Sequence, residues 1–461
     1  MPRLVIVGGG VAGLAAAWAA TDAARQRGLP LEVMVLERGG EVGGKARSIF
    51  SDGWLVEGGP SGFLDGRPEM ARLIAGAGLT DDVVIARETA KRRFIYRGGR
   101  LREIVPSPFG FARSGILSPV GMMRMMVEPF VPRANGNAAD ETVWAFAARR
   151  LGAEVADRLV SPMALGIFAG DARRLSLAAA FPRMEALERE HGSLIRGLIA
   201  RRGKTSTGQL TSFRGGMQSL PQALVARGGF AVRCHATVAS LRRSDASWSV
   251  TLAETDETIT ADAVVLATEP WVTAELMEPV DAHAARALAA IPCPPIAVVA
   301  LGFGPEARAR VPDGFGVLIA RGEGFRMLGN LWETSLYPGR GPEGGIMIRA
   351  MFGGAVDPTI GELSDDALLS TARAEIRRLY GLDLEPQFSA VVRVPRAIPQ
   401  YEQGHRDRVA VVEQALAALP GLAITGFGLR GVAFADAASD GVRTGERVGA
   451  WLAMRSGIGA N

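Results

Sequence analysis

Residue type and spacing first suggest chemistry at Gly8-Gly9-Gly10-Val11-Ala12-Gly13. In such a G-x-G-x-x-G run Gly8 permits a tight turn, Gly10 lets the backbone approach a pyrophosphate, and Gly13 lets a helix pack closely on a strand. An acidic residue, Glu37, follows 24 positions after Gly13, where its carboxylate can accept hydrogen bonds from both hydroxyls of a ribose. Other chemistry-bearing groups are sparse. Cys234 and Cys293 match no metal-ligand spacing and the four histidines form no paired motif, so no metal is expected and the thiols read as small buried hydrophobes. Only three of the 52 basic residues are lysines (Lys45, Lys91, Lys204), and no basic run is interleaved with aromatics. Nucleic acid is therefore not an expected partner despite a pI near 9.4.

These residues need elements to hold them. Residues 4–7 are a short apolar run of strand type that feeds the glycines, which open an alanine-rich helix, and a second apolar run at 31–36 ends at Glu37. A basic Arg3 before an apolar stretch also resembles a signal peptide, but cleavage there would remove a strand and a phosphate-binding turn that only make sense together. No other apolar run reaches the ~18 residues of a membrane span. The fold class expected is α/β, with a Rossmann-like dinucleotide domain in three pieces (1–79, 205–268 and 407–461). Its returning signals are strand-like runs at 231–238 and 263–268, then an apolar run at 421–426 and a helix over 440–454. Between them lie an insertion at 80–204, mostly helical in pattern with helices over 142–158 and 176–201, and a strand-rich substrate domain at 269–406.

The sequence after the second strand separates flavin from nicotinamide. Glu37-Arg38 runs on to Gly43-Gly44-Lys45-Ala46-Arg47, then to Gly58-Gly59-Pro60-Ser61-Gly62. This resembles the extended motif of the FAD-dependent amine oxidase superfamily, so FAD is the expected cofactor. More specific runs are KRRFIYRGGRLREIVPSP (91–108), GIFAGDARRLSLAAAFP (166–182), LEREHGSLIRGL (187–198), TSFRGGMQSLPQAL (211–224), DGFGVLI (313–319) and AIPQYEQGH (397–405). Through them nearly the whole chain resembles the bacterial protoporphyrinogen oxidases and the related coproporphyrinogen oxidases.

The resemblance implies FAD contacts at Gly8, Gly9, Gly10, Val11, Ala12, Gly13, Glu37, Arg38, Gly44, Lys45, Gly59, Pro60, Ser61, Gly62, Val238, Gly426, Phe427, Val432, Ala433 and Phe434. It implies substrate contacts at Arg93, which matches the propionate-binding arginine, and at Gly170, Phe315, Gly316, Leu318 and Met351. Where the family reads G-V-G-L-N-D-C-I, this chain reads Gly431-Val432-Ala433-Phe434-Ala435-Asp436-Ala437-Ala438, and the larger side chains are expected to narrow the flavin opening. Pro60-Ser61-Gly62-Phe63 likewise departs from the usual Pro-Asn/Asp-Ser-Phe.

A porphyrinogen loses six electrons in three steps, each passing a hydride from a bridge carbon to flavin N5. The pyrrole nitrogens donate into the developing cation, so a strong base is unnecessary and no catalytic side chain is assigned. Reoxidation by O2 gives hydrogen peroxide. The substrate is an apolar disc with carboxylates at one edge, which suits apolar walls and a bidentate arginine. Residues 93–97 and 100 onward read as a hairpin with a Gly98-Gly99 turn, placing Arg93, Ile95 and Arg97 on one face, with the remaining hairpin charges solvated.

Protoporphyrinogen IX is preferred over coproporphyrinogen III. An amine oxidase or carotenoid-type desaturase on the same cofactor domain, and a tetrapyrrole carrier without redox activity, are the competing readings. The stretch 106–133, rich in Phe, Met, Ile and Leu with scattered arginines, suggests peripheral attachment to the inner face of a membrane by a cytoplasmic protein. Core packing is the favoured reading for Met122, Met123, Met125 and Met126 themselves, and a homodimer is left open.

Overall fold

The computed structural model describes residues 1–105, 107–133, 140–201 and 208–457. Its first layer is a five-stranded parallel sheet in the order Ala231–Arg233, Glu32–Leu36, Arg3–Val7, Ala263–Leu266, Leu422–Ile424. The central strands are near-continuous apolar runs because both faces are covered. Helix Val11–Gln26 buries its alanines against one face, and helix Phe434–Arg455 lies on that helix. The approach is close enough that a Cβ on Gly441 or Gly445 would sit 2.2 Å from the carbonyl oxygens of Ala12 or Ala16.

The second body is a seven-stranded mixed sheet in the order Phe388–Val394, Ile296–Phe303, Ile346–Gly353, Met327–Trp332, Gly316–Ile319, Arg93–Arg97, Arg100–Glu103. One of its faces packs Phe94, Val317, Trp332, Ile348, Ala350 and Val299 against helix Asp365–Tyr380. The hairpin expected within the helical insertion is thus an edge of this sheet, with Arg93–Arg97 running parallel to Gly316–Ile319. Gly98 and Gly99, at φ of 60° and 72°, make its turn.

Several expected elements are broken where the backbone requires it. The helix read over 142–158 becomes Val143–Leu151, stops at Gly152 with φ of 99°, and resumes through Ala153–Val155 and a π-helical turn, Ala156–Val160, into Ser161–Phe168. The helix read over 176–201 divides into Leu177–Ala180, Pro182–His191 and Leu194–Ala200, because Pro182 lacks the donor needed to continue. The strand read over 231–238 turns at His235, so that Val238–Arg243 joins a separate three-stranded sheet. The final helix begins at Phe434, earlier than the sequence suggests. The boundary read at 204 lies outside the described residues, as does Pro106 at the head of the apolar stretch.

Candidate active site

The glycine turn has the shape its spacing demands. A Cβ on Gly13 would lie 2.0 Å from the Gly8 carbonyl oxygen, whereas a Cβ on Gly10 would meet nothing within 4 Å. Open space therefore stands over the backbone at the start of a 16-residue helix, where unpaired N–H groups favour phosphate. Glu37 is already engaged: its two carboxylate oxygens accept hydrogen bonds from the N–H groups of Gly9 and Gly39, each at 2.7 Å. Those bonds fix the carboxylate and leave lone pairs for further donors such as ribose hydroxyls.

Other cofactor positions converge on this end of the sheet. Gly43 bridges to Gly10, and Gly44 lies against it. Lys45 Nζ is 3.0 Å from Glu269 Oε1 and 4.6 Å from the centre of the Phe427 ring, and Arg38 approaches the other Glu269 oxygen at 3.7 Å. Lys45 and Arg38 hold the Glu269 carboxyl below the usual carboxylate range in spite of burial, which alone would raise it. Asp440 accepts from the Gly426 N–H at 3.1 Å, and the Tyr401 hydroxyl donates to the Phe427 carbonyl. Val238 begins its strand at a bulge.

At the altered C-terminal motif the structure corrects one expectation. The Phe434 ring does not narrow the opening; it turns into the core, 5.8 Å from the Phe63 ring, while Val432 and Ala433 lead into the helix and Asp436 accepts from the Ala433 N–H at 3.4 Å. Core burial is where a large aromatic ring is most stable.

The loop Gly59-Pro60-Ser61-Gly62 joins the two bodies. A Cβ on Gly59 would fall 1.9 Å from the Lys45 carbonyl oxygen, and one on Gly62 would fall 2.2 Å from the Tyr337 hydroxyl. Beneath the loop, buried Arg349 contacts the Gly59 carbonyl, the Ser61 hydroxyl and Glu333. Nearby, Glu57 is wholly buried; burial raises its carboxyl to about 7 although the Arg340 guanidinium and hydrogen bonds from Ser48 and Met217 pull it down.

Four of the expected substrate positions share one face of the seven-stranded sheet. Register pairs Arg93 with Gly316, Ile95 with Leu318, Leu318 with Gly329, Gly329 with Met351 and Met351 with Val298. Facing partners point to the same side, so Arg93, Gly316, Leu318 and Met351 all lie opposite the helix-covered core. Arg349 and Leu331 are also on this face, which ties it to the glycine loop. Phe315, at the head of its strand, packs beside Leu331 and Tyr337 under the Arg93 guanidinium. Arg93 has neither a carboxylate nor a carbonyl partner among the described residues.

Helix Ser161–Phe168 packs across the far half of this face, and a Cβ on its Gly166 would lie 2.8 Å from Leu318. Met163 and Ile167, on the same side of the helix, are 41% and 46% exposed. Sequence reading missed this apolar strip, although the spacing of Met163, Gly166 and Ile167 at one helical turn was its signal. Gly170 follows the helix and lies buried against Gln400 and Leu175, behind the strip rather than on it.

Three other hairpin arginines, Arg92, Arg97 and Arg102, are paired, whereas Arg100 is exposed with no partner among the described residues. Arg92 forms a two-pronged contact with Glu103, Arg102 donates to the Arg97 and Ser114 carbonyls, and Arg97 donates to the Ile116 carbonyl. Arg97 lines a separate cleft of about 550 Å³ with Arg158, Arg173 and Arg321. Of the four methionines in the apolar stretch, Met122 and Met125 pack inward while Met123 and Met126 face out. No group of three or more potential metal ligands occurs among the described residues.

A parallel sheet with a glycine turn at its carboxyl end, beside a mixed sheet whose second face meets the glycine loop, is the arrangement of a dinucleotide-binding protein. Residues 11–449 match the family of flavin containing amine oxidoreductases, and the chain belongs to that family. The chain is 30% identical to coproporphyrinogen III oxidase of Bacillus subtilis, over 95% of this chain and 96% of that one. It is 31% identical to the chloroplastic protoporphyrinogen oxidase of Oryza sativa, over 89% and 81% respectively. A crystal structure from Exiguobacterium sp. 255-15 superposes with a TM-score of 0.85 at 24% identity, covering 98% of this chain and 99% of that one. Cyclohexylamine oxidase from Brevibacterium oxydans shares the fold with a TM-score of 0.70 at 15% identity, over 99% of both chains. The cofactor is FAD, and the open turn at Gly10, the fixed Glu37 carboxylate and the side-chain-free loop at Gly59 fit it.

Proposed function

We propose that this protein oxidises a porphyrinogen to the porphyrin in haem biosynthesis, with protoporphyrinogen IX preferred, O2 consumed and hydrogen peroxide released. The observation that carries this reading is an unpaired guanidinium, Arg93, at the edge of an apolar sheet face that reaches the glycine loop at Gly59. Relatives named for oxidation of protoporphyrinogen and of coproporphyrinogen III support it.

Residues 1–79, 205–268 and 407–461 supply the cofactor side, and the insertions 80–204 and 269–406 supply the substrate side. Bound FAD supplies a two-electron acceptor for each bridge oxidation. Arg93 takes a substrate carboxylate through paired N–H donors, and Phe315 beneath it holds the guanidinium plane. Gly316, Leu318, Leu331 and Met351 form the floor, and Met163 and Ile167 form the wall that excludes water once the disc is in place. Gly170 acts through this wall by letting the chain after the helix pack on Gln400. Among the described residues no histidine or free carboxylate lies on this face, so the protein's contribution is orientation rather than proton abstraction.

The free guanidinium of Arg93 suits a substrate with carboxylates at one edge. The full-length match to the Bacillus relative favours coproporphyrinogen III as the second reading. An amine oxidase is disfavoured because the Arg93 guanidinium suits an acid better than an amine.

No helix among the described residues is long and apolar enough to cross a membrane. Exposed Phe109, Val120, Met123, Met126 and Phe130 form the patch through which we propose peripheral attachment.

Anaerobic mixing of the holoenzyme with each reduced porphyrinogen tests the reading. Bleaching of the flavin by protoporphyrinogen IX, faster than by coproporphyrinogen III, is expected. Bound flavin that neither substrate bleaches would support a carrier, and a large preference for the four-carboxylate substrate would reverse the order.

A further inference from the structure

We propose that the buried pair Arg349–Glu333 sets the redox potential of the flavin by fixing which hydrogen-bonding groups the loop Gly59-Pro60-Ser61-Gly62 offers to the cofactor.

Arg349 is 3% exposed and rises from the strand Ile346–Gly353 on the same face as Met351. One guanidinium nitrogen reaches both the Ser61 hydroxyl and Glu333, the latter at 3.0 Å; the other reaches the Gly59 carbonyl. The Ser61 hydroxyl in turn donates to the same Glu333 oxygen. The pair thus engages two polar oxygens of the loop from below. Pro60 has no N–H, and the N–H groups of Gly59, Ser61 and Gly62 have no hydrogen-bond partner among the described residues. No side chain fits at Gly59, where a Cβ would fall 1.9 Å from the Lys45 carbonyl oxygen. The loop is left to offer donors to whatever lies over it, backed by a guanidinium in a setting of low polarity.

Donors and a nearby positive charge stabilise the cofactor more as it gains electrons than before, because a charge gain in a water-poor site is felt strongly. Arg349 therefore favours the reduced form and Glu333 opposes it. This role of Arg349 and Glu333 depends on flavin binding, not on which substrate is oxidised, so it can fail or hold independently of the porphyrinogen reading.

The test is the midpoint potential of the holoprotein, measured by equilibration with a reference dye, together with FAD affinity and visible circular dichroism. Arg349→Met should weaken binding of reduced FAD relative to oxidised FAD by roughly tenfold, a shift of about 30 mV to the negative for a two-electron couple. Arg349→Lys should recover part of that shift, and Glu333→Gln should move the potential the opposite way. If Arg349→Met does not fold, the opposed shifts of Arg349→Lys and Glu333→Gln carry the test. A purely structural clamp would lower affinity for both oxidation states equally. An unmoved potential in folded variants, or shifts of the same sign in Arg349→Lys and Glu333→Gln, overturns the proposal.

Discussion

The Arg93 guanidinium carbon lies 5.0 Å from the centre of the Phe315 ring, and the two residues flank the point where parallel strands begin their pairing. This contact holds a cation without neutralising it, since an aromatic face attracts the charge but leaves every N–H free. Arg93→Met should therefore raise KM for the porphyrinogen by roughly tenfold to a hundredfold, the range for losing a charge-assisted hydrogen bond, with kcat nearly unchanged. Arg93→Lys should recover only part, because an ammonium lacks the paired fork. Steady-state kinetics decides, and an unchanged KM in folded Arg93→Met argues against carboxylate capture there.

Alanine at two nearby glycines separates fold from cofactor. Gly10→Ala meets nothing within 4 Å, whereas Gly13→Ala drives a methyl to 2.0 Å from the Gly8 carbonyl oxygen. The apoprotein of Gly10→Ala should melt like the parent but lose FAD; Gly13→Ala should melt several degrees lower even without cofactor. Calorimetry of both apoproteins and a flavin titration check the pair. Normal FAD affinity in Gly10→Ala would remove the phosphate assignment at that turn.

Buried Glu57 gives the stability a particular pH dependence. Its carboxyl stands at about 7 in the fold against an ordinary value of 4.5, so between those limits the folded state holds a proton that the unfolded chain has lost. Stability from this group falls as pH rises from about 5 to 7 and is level above, with a total change on the order of 3 kcal/mol. Denaturant melts at several pH values should show the parent losing stability relative to Glu57→Gln across that window. Parallel curves would mean that Arg340 keeps Glu57 ionised throughout.

Replacing Phe109 and Phe130 together by serine should weaken sedimentation with anionic vesicles, since both rings are largely exposed, while leaving the melting temperature in place. Equal sedimentation of parent and variant would exclude this patch as the attachment surface.

Local steric rules made much of the cofactor half legible. The demand for no side chain at Gly13 comes from its immediate neighbours, so it survives in the sequence as a motif. Strand alternation correctly placed Arg93 and Ile95 on one face, because a period of two is a local property. The membership of that hairpin in the seven-stranded sheet was not legible, since its parallel partner Gly316–Ile319 lies far along the chain and no turn records the pairing. Met163 and Ile167 escaped because an exposed apolar residue on a helix reads the same in sequence as one facing a core. Arg349 and Glu333 escaped for a related reason: a buried ion pair leaves no period or motif, only two charges in otherwise apolar surroundings.

The parallel sheet that holds the glycine turn draws its strands from residues 3–7, 32–36, 231–233, 263–266 and 422–424, and its first helix is covered by Phe434–Arg455. A ribosome making this protein releases the nucleotide-cradling turn early and its covering helix late. Until then helix Val11–Gln26 lacks its largest cover, and a nascent polypeptide exposing those alanines is the more prone to stick to its neighbours.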